Sequence, residues 1–329
     1  MKLVKPSFEI LEQEPGYEGM LRHIERCGRT CYKSEDKITK DSAKKFVDML
    51  VKRGHTAMVE HGTIYLAVLD SLPGGFGGPA PEKESTMLDF YLGNKYSDVV
   101  EEYIGMGAYE YYITTNYRVL LQNGRLGDLE YQCEPSEHHV KRVTVKFICD
   151  RGVSHEFVRH RVFSFAQEST RYCNYSKDKF GKECTFIIPS WLNLSEGGYK
   201  WEDQNPLLTA GLSIEEAGYD DSSDLWFEDN DGDFIEYKRH YLNWQETETF
   251  MHSLQVSEQL YLELLDRGWK PQQARAVLPN SLKTELIMTG TIDQWKGFFK
   301  LRDAKDAHPQ ARELAQPLHE EFIKRGWLV

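Results

Sequence analysis

The sequence predicts a fold that mixes helices and strands, because both kinds of apolar spacing occur along it. Residues 42–54 place apolar side chains at helical spacing, behind a capping Asp41 or Ser42. Residues 64–69 form a short apolar run typical of a strand, and residues 143–147 alternate between apolar and polar side chains. With 329 residues the chain can bury a full core, as one large domain or as two.

The middle of the chain continues this pattern. Residues 91–126 are predicted to be helical, with their tyrosines packed in the core. Residues 150–152 are expected to turn the chain, after which Ser154 caps a helix that carries Arg159. A strand, a turn and a helix are therefore expected to lead into the segment that follows.

The last third is predicted to be mostly helical. A short strand at residues 186–188 ends at Pro189, a long helix reaches Arg267, and Pro271 opens a short helix. A final pair of helices follows, and Pro317 should kink or shorten the second of them. The side chains of the long helix that are expected to face inward are Phe250, Leu254, Leu260 and Leu264.

Charge and hydropathy exclude several classes of function. The net charge is −12 and the pI is about 5.5, which argues against binding long nucleic-acid polymers but not against binding one mononucleotide. The longest apolar run, residues 64–69, is too short to span a bilayer, and no secretion signal is visible. The six scattered cysteines have no metal-ligand spacing. We therefore expect a cytoplasmic protein with reduced thiols and no membrane segment.

An arginine-rich stretch, residues 159–172, is the most informative part of the sequence. Three arginines and a histidine fall within it, among apolar neighbours in an acidic protein. A guanidinium drawn toward an apolar wall needs an anionic partner, and its planar fork of donors suits phosphate. The alternative is a helix whose arginines pair with Glu156 and Glu168 and bind no ligand.

The spacing in this stretch resembles the signature of the flavin-dependent thymidylate synthases. Arg159-His160-Arg161 is followed by seven residues, then Ser169, one further residue and Arg171. A motif of this length with fixed spacing is much more specific than a short glycine-rich loop.

Two other segments resemble the same family, in the family's order. Residues 60–63 read Glu-His-Gly-Thr, residues 274–279 read Ala-Arg-Ala-Val-Leu-Pro, and an aromatic helix then ends in Leu-Arg at 301–302. The three matches cover roughly residues 20–70, 140–190 and 250–325.

The resemblance implies roles for the residues at the matching positions. Arg302 is expected to be catalytic, because its charge would stabilise the negative charge that develops on the uracil ring. The residues implied for dUMP binding are Glu156, Arg159, Gln167, Glu168, Ser169, Thr170, Arg171, Arg275 and Arg302. Those implied for FAD binding are His61, Thr63, Arg159, His160, Arg161, Thr291, Asp293 and Gly297.

The resemblance also implies the reaction and the architecture. dUMP would be methylated to dTMP with methylenetetrahydrofolate as carbon donor and NADPH-reduced FAD as hydride donor. The implied fold is α+β, with helices and an antiparallel sheet in one domain over residues 1–329, assembled as a homotetramer with shared active sites. Segments at about 71–140 and 196–240 are expected to be insertions; the acidic run at 229–233 in the second does not fit a calcium-binding loop.

The match departs from the family pattern at named positions. Many members have Asn-x-Arg where Thr291 and Asp293 stand, and an asparagine where Gly297 stands. Aspartate in place of arginine removes a cation that could face a pyrophosphate. Glu156 stands where some members have a glutamine, so a charged carboxylate replaces a neutral amide. Gln167 stands where the family motif has a glutamate, so a neutral amide replaces a charged carboxylate.

Other functions stay open as alternatives. A non-catalytic nucleotide-binding protein of the same fold would keep the arginines but bind no flavin. The cysteine-dependent class of thymidylate synthase needs a Pro-Cys-His setting that none of the six cysteines has. A zinc site of the His-Glu-x-x-His type fails because Arg159 stands where the second histidine is required, so no metal is expected.

Overall fold

The computed structural model describes residues 1–71, 82–105, 108–199, 217–219, 225–228, 234–236 and 246–328. The chain forms two compact units. The smaller unit comprises Met1–Pro6, Asp150–Gly152 and Thr170–Lys283, and the larger unit comprises Ser7–Cys149, Val153–Ser169 and Thr284–Val329. The single-domain organisation expected from the sequence stays a prediction.

Helices and strands are interspersed along the chain. The α-helices are α1 (Gly16–Thr30), α2 (Ser42–Lys52), α3 (Glu82–Gly93), α4 (Tyr117–Gln122), α5 (Arg151–Phe157), α6 (Glu246–Asp266), α7 (Pro271–Ala274), α8 (Ile292–Arg302) and α9 (Pro309–Lys324). The strands are β1 (Lys2–Val4), β2 (Ser7–Leu11), β3 (Thr63–Ser71), β4 (Asp98–Gly105), β5 (Ala108–Asn116), β6 (Arg142–Asp150), β7 (Ser164–Gln167), β8 (Thr185–Ile187), β9 (Gly197–Gly198), β10 (Ala217–Tyr219), β11 (Leu225–Glu228), β12 (Phe234–Glu236) and β13 (Lys283–Thr291).

The larger unit contains two sheets. One has the strand order β2-β6-β13-β7, in which β2 pairs antiparallel with β6 and β7 pairs antiparallel with β13. The other has the order β3-β5-β4, and both of its pairings are antiparallel. Helices together with antiparallel strand pairs confirm the predicted α+β fold class.

The first sheet is covered by the C-terminal helices. Val143, Val145 and Phe147 alternate along β6 and are buried, which confirms the strand predicted there. Trp295 of α8 and Phe322 of α9 pack in the same cluster. The indole Nε1 of Trp295 also donates a hydrogen bond to the carbonyl of Val143 over 3.1 Å. This bond and the aromatic packing fix α8 against β6, which matters because α8 ends at Arg302.

The second sheet packs on the first helices. Ile24 of α1 and Leu50 of α2 share one apolar cluster with Leu66 of β3 and Ile113 of β5. Amphipathic helices on one face of an antiparallel sheet bury both apolar surfaces at once. The predicted helix at 42–54 and the predicted strand at 64–69 are both confirmed.

The helix predicted over residues 91–126 is wrong. Among the residues of this range that the structure describes, α-helix is limited to the end of α3, which stops at Gly93, and to α4; between them lies the β4–β5 hairpin. Residues 99–104 and 109–115 are rich in β-branched and aromatic side chains, which favour strands, and Gly105 turns the chain at φ +97°. The expected tyrosine core is also mixed, because Tyr117 is buried whereas Tyr103 is exposed.

The smaller unit has two further sheets. β1 pairs parallel with β8 and antiparallel with β9, and β10-β11-β12 is antiparallel. Leu254 and Tyr261 of α6 are buried in one cluster with Leu3 of β1 and Phe186 of β8, but Leu260 is exposed, so its predicted inward orientation is wrong. Tyr261 lies one position further along the helix, about 100° around it, and occupies the core instead. The acidic run at 229–233 lies outside the described residues.

Two further local expectations are corrected. α5 begins at Arg151, so residues 151–152 are helical and Ser154 lies inside the helix instead of capping it. Pro317 does not shorten α9, which continues to Lys324, because the buried side chains around it stabilise the helix more than one lost hydrogen bond costs. Pro271 does open α7 as predicted. In the part of the chain that the structure describes, no helix is long and apolar enough to cross a membrane.

Candidate nucleotide and flavin site

The Arg-His-Arg motif lies in the turn between α5 and β7. α5 ends at Phe157 and β7 begins at Ser164, so the motif is in a loop and not on the predicted helix. The side chains of Arg159 and Arg161 are exposed, and His160 is half-buried. The motif therefore presents two cations to solvent and turns its histidine toward the protein.

Arg302, at the end of α8, is held by residues from this region of the larger unit. Its Nη1 donates to a carboxylate oxygen of Glu156 over 2.5 Å, and its Nη2 donates to the Glu156 carbonyl over 2.9 Å. Its Nε donates to Nε2 of His160 over 3.0 Å. The central motif and the C-terminal signature, 142 residues apart in the sequence, thus meet at one guanidinium.

The charge state of His160 follows from these contacts. Burial, and secondarily the positive charge of Arg302, lower the pKa of His160 to about 4. A neutral imidazole whose Nε2 accepts a hydrogen bond carries its proton on Nδ1. His160 is therefore a neutral acceptor that positions Arg302 and adds no charge of its own at neutral pH.

Aromatic rings hold this arrangement in place. The ring of Phe298 lies 4.9 Å from Phe157 and 5.1 Å from His160, centroid to centroid. Phe163 contacts Trp295 at 4.8 Å in an edge-to-face arrangement. Because α5, the motif loop and α8 share one packed cluster, the position of Arg302 is determined by core packing as well as by its hydrogen bonds.

The residues after β7 are fixed through their main chain. The amide of Glu168 donates to the carbonyl of Glu285 over 2.8 Å, and the amide of Ser169 donates to the carbonyl of Cys31 over 3.1 Å. The side chain of Gln167 donates to Ser154 over 2.9 Å and to Thr284 over 3.3 Å. These bonds leave the backbone of the predicted nucleotide segment little freedom.

An ion cluster centred on buried Glu285, which the sequence did not predict, lies beside this segment. Glu285 of β13 pairs with Lys33 over 2.7 Å and with Lys146 over 2.6 Å. Lys33 adopts a left-handed backbone with φ +47°, which is uncommon outside glycine and marks a constrained position. No local sequence signal could have joined three residues from three distant segments.

The remaining predicted nucleotide residues belong to the smaller unit. Arg275 is exposed, and its Nη1 donates to the hydroxyl of buried Thr170 over 3.0 Å. Arg171 is exposed and stands 5.5 Å from the ring centroid of Tyr172. Thr170, Arg171 and Arg275 thus belong to the smaller unit, and the other predicted nucleotide residues belong to the larger one.

His61 occupies a very different environment from His160. It is fully buried in the larger unit, and its Nδ1 lies 2.7 Å from the hydroxyl of Thr289. That hydroxyl is 2.8 Å from Thr144, whose own hydroxyl is 3.0 Å from Nε2 of His23. Burial, followed by the charges of its neighbours, lowers the pKa of His61 to about 3, and the same causes lower that of His23 to about 4.

The other predicted flavin residues have local partners. Thr63 accepts a hydrogen bond from Arg142 over 3.2 Å. Thr291 is the N-cap of α8, bonded to Gln294 in a capping box. The assignments of His61, Thr63 and Thr291 to flavin stay predictions, because each of these side chains also has a structural role in the chain.

The two remaining departures from the family pattern lie on the surface of α8. Asp293 is exposed and pairs with Lys296 over 2.8 Å. Gly297 is exposed, and a Cβ built on it meets no atom within 4 Å. An asparagine side chain would fit at position 297 without steric conflict. Packing within the chain therefore does not require the glycine.

The described residues show neither an activated cysteine nor a cluster of metal ligands. All six cysteines fall in this part and are free thiols. Burial raises the pKa of Cys31 to about 11 and also raises those of Cys27, Cys133 and Cys184, which makes these thiols poor nucleophiles. No group of three or more metal-ligating histidine, cysteine or acidic residues occurs in the described ranges.

The fold is α+β, and the Arg-His-Arg motif and Arg302 lie together in its larger unit. A sequence model of the family described as "Thymidylate synthase complementing protein" matches residues 132–325, more than half of the chain. The chain belongs to this family. The region that the model does not match includes both histidines of the buried His61 network.

Known relatives support the same family. The chain is 27% identical over 178 residues to a flavin-dependent thymidylate synthase of Pyrococcus furiosus, covering 54% of this chain and 52% of that one. It is 29% identical over 195 residues to one of Aeropyrum pernix, covering 58% of each. The chain spans about half the length of the curated relatives it matches. A solved UMP/dUMP methylase, PolB of Streptomyces cacaoi, aligns over 98% of this chain and 93% of that chain at 15% identity, with a TM-score of only 0.38.

Proposed function

We propose that this protein is a flavin-dependent thymidylate synthase. It converts dUMP to dTMP with methylenetetrahydrofolate as carbon donor and NADPH-reduced FAD as hydride donor. The observation that carries the proposal is the contact of Arg302 with both Glu156 and His160, since it joins two separate family motifs in one site. Family membership supports the same reaction.

Arg302 is proposed to act on the pyrimidine ring. A fixed guanidinium stabilises the negative charge that develops on the ring oxygens when C5 becomes nucleophilic, and a half-buried position strengthens that effect. Glu156 orients Arg302 by a charge-assisted hydrogen bond, and the neutral imidazole of His160 accepts a further hydrogen bond from Arg302 Nε. In this proposal Glu156 and His160 are positioning residues and Arg302 is the catalytic one.

Binding of the nucleotide phosphate is proposed to use the other arginines. Arg171 and Arg275, both exposed, belong to the smaller unit, and the hydroxyl of Thr170 sets the direction of Arg275. Ser169 adds a hydroxyl donor. Ser169 is proposed to bind and not to attack, because its amide is fixed to Cys31 and its neighbours in sequence provide no base.

The residues present fit a flavin in part. The guanidinium groups of Arg159 and Arg161 are exposed and make no hydrogen bond or ion pair with any described residue, so they suit an anionic pyrophosphate. Asp293 does not suit one, because it places a negative charge where a family arginine would stand. FAD would supply the redox step of the reaction, and Arg159 and Arg161 are proposed to hold its phosphates.

The assembly and location are proposed on family grounds. We infer a homotetramer with active sites shared between subunits, acting in the cytoplasm. The two exposed motif arginines are consistent with groups that reach a neighbouring subunit. No nucleic-acid polymer or membrane partner is expected of a chain with a net charge of −12.

An absorbance experiment tests the proposal. Freshly purified protein should show a bound flavin that bleaches with NADPH under anaerobic conditions. It should reoxidise, still anaerobically, as dUMP and methylenetetrahydrofolate become dTMP. A colourless protein that fails to take up FAD would leave the alternative, a non-catalytic nucleotide-binding protein, which the Asp293 departure favours.

A further inference from the structure

The larger unit contains a polar cavity of about 260 Å³, and Thr63 is the one predicted site residue that lines it. It lies at the ends of β2 and β3 and is bounded by the segment from Pro135 to Thr144. Trp327 forms an aromatic wall, and Lys141 stands 4.6 Å from the centroid of its indole ring. Part of this lining comes from the segment predicted to be an insertion.

Arg142 lines this cavity, and its guanidinium hydrogen-bonds only to neutral acceptors. Its Nη1 donates to Thr63 over 3.2 Å, and its Nη2 donates to the Glu60 carbonyl over 3.2 Å and to Ser164 over 3.4 Å. All three acceptors are neutral and all three bonds are long. No carboxylate in the described part of the chain lies within 4.0 Å of this guanidinium.

The carboxylates near the cavity do not neutralise Arg142. The carboxylate of Glu60 pairs with Arg118, and that of Glu12, which lines the cavity, accepts from Arg325 over 2.8 Å. Glu60 and Asp98 contribute to the field at Arg142, both from beyond salt-bridge distance. A guanidinium withdrawn from water with only neutral partners is costly, and an anion would offset that cost.

We infer that this cavity binds a phosphate-type oxyanion at Arg142. The planar fork of Arg142 gives two parallel donors, and Lys141 adds a second positive charge at the wall. The cavity is below the range of about 300–1,000 Å³ that holds a drug-sized ligand, so it accepts one anionic group with its waters and not a whole nucleotide. The anion is either free phosphate or a phosphate group on a larger molecule that reaches in from outside.

The first test uses inorganic phosphate and the full chain saturated with dUMP, so that the nucleotide phosphate site is already filled. Calorimetry at constant ionic strength should show phosphate binding that Arg142→Gln weakens at least tenfold. Arg22→Gln, which removes an exposed arginine outside the cavity, should leave it unchanged. Absence of binding in the wild type, or equal binding in Arg142→Gln, would overturn the inference.

A second variant covers the case in which Arg142→Gln does not fold. Arg142→Lys keeps the positive charge but loses the two-donor fork, so we expect phosphate binding weakened about threefold to tenfold. Affinity equal to wild type in a folded Arg142→Lys protein would contradict an anion held at the guanidinium.

The source of the phosphate is resolved by comparing NADPH with NADH, which differ only in the 2′-phosphate. This arm rests on the proposed function. If the cavity receives that phosphate, NADPH should be preferred over NADH in flavin reduction by the wild type, and Arg142→Gln should bring the preference near one. An unchanged preference with lost phosphate binding means the free ion is the ligand. If neither NADPH nor NADH reduces a flavin, the result counts against the proposed function and not against the oxyanion site.

Discussion

The clusters around Arg302 and His61 both hold a predicted flavin-binding histidine, but they differ in charge and in exposure. His160 is half-buried and bonds a charged guanidinium that is itself paired with Glu156. His61 is fully buried among threonine hydroxyls and a second neutral histidine. The first cluster therefore keeps a charged guanidinium only half-buried, whereas the second buries neutral groups that hydrogen-bond across the sheet.

The largest effect is expected from Arg302→Ala. It should lower dTMP formation by about 10²–10³-fold or more, the cost of losing one preorganised donor at developing charge. Bound flavin should be retained, because Arg159 and Arg161 are unchanged. Turnover and the visible spectrum are measured on the same sample. Loss of the flavin as well would mean that Arg302 is assigned to the wrong ligand.

Acid should destabilise the protein through the His61 cluster. The folded pKa values of His61 and His23, about 3 and about 4, lie below the ordinary 6.5, so at pH 5.5 the unfolded chain binds protons that the folded chain does not. Stability is therefore unaffected by these groups above pH 6.5 and falls as the pH drops below it, by about 1.4 kcal/mol per histidine at pH 5.5.

Urea unfolding at pH 7.5 and pH 5.5 measures this loss, expected to be at least about 2–3 kcal/mol, because the lowered pKa of His160 adds to the loss from His61 and His23. Most carboxylates stay ionised at both values, so they contribute little to the difference. Equal stability at the two pH values would show that the histidines are not buried as neutral groups.

Thr289→Val should lower stability without changing the mechanism. The valine has nearly the same shape but leaves His61 and Thr144 without the shared hydroxyl, at a cost of about 1–3 kcal/mol. Thr114→Val is the matched control, because the Thr114 hydroxyl is buried with no partner among the described residues. The control should be neutral or stabilising. If Thr289→Val is as stable as wild type, the hydrogen bonds of the His61 cluster do not stabilise the fold.

The smallest effect is expected from Glu156→Gln. Removing the carboxylate leaves the charge of Arg302 less neutralised, so dUMP should bind about threefold to tenfold tighter, since a tenfold change is only about 1.4 kcal/mol. Binding is measured by the change in the flavin spectrum on titration with dUMP. Weaker binding would mean that the position of Arg302 matters more than its net charge.

Local sequence patterns were enough for some elements and not for others. The helix at 42–54 and the strand at 143–147 were predictable because each has one apolar face with a clear period. The β4–β5 hairpin was missed because its tyrosines and hydrophobic residues resemble a helix when counted in a long window. The spacing of the motif identified the Arg-His-Arg residues, but it did not predict that they lie in a turn between α5 and β7.

The sequence by itself determined which residues could bind anions, because arginine, histidine and serine at fixed spacing carry their chemistry with them. Only the tertiary structure decided which of those groups are already paired. Arg302 contacts Glu156 because α5 and α8 pack together, whereas no carboxylate of the described residues pairs with Arg142 and the nearby Glu60 pairs with Arg118 instead. Partner choice depends on distances between segments far apart in the chain, and those distances are set by the packing of the whole core.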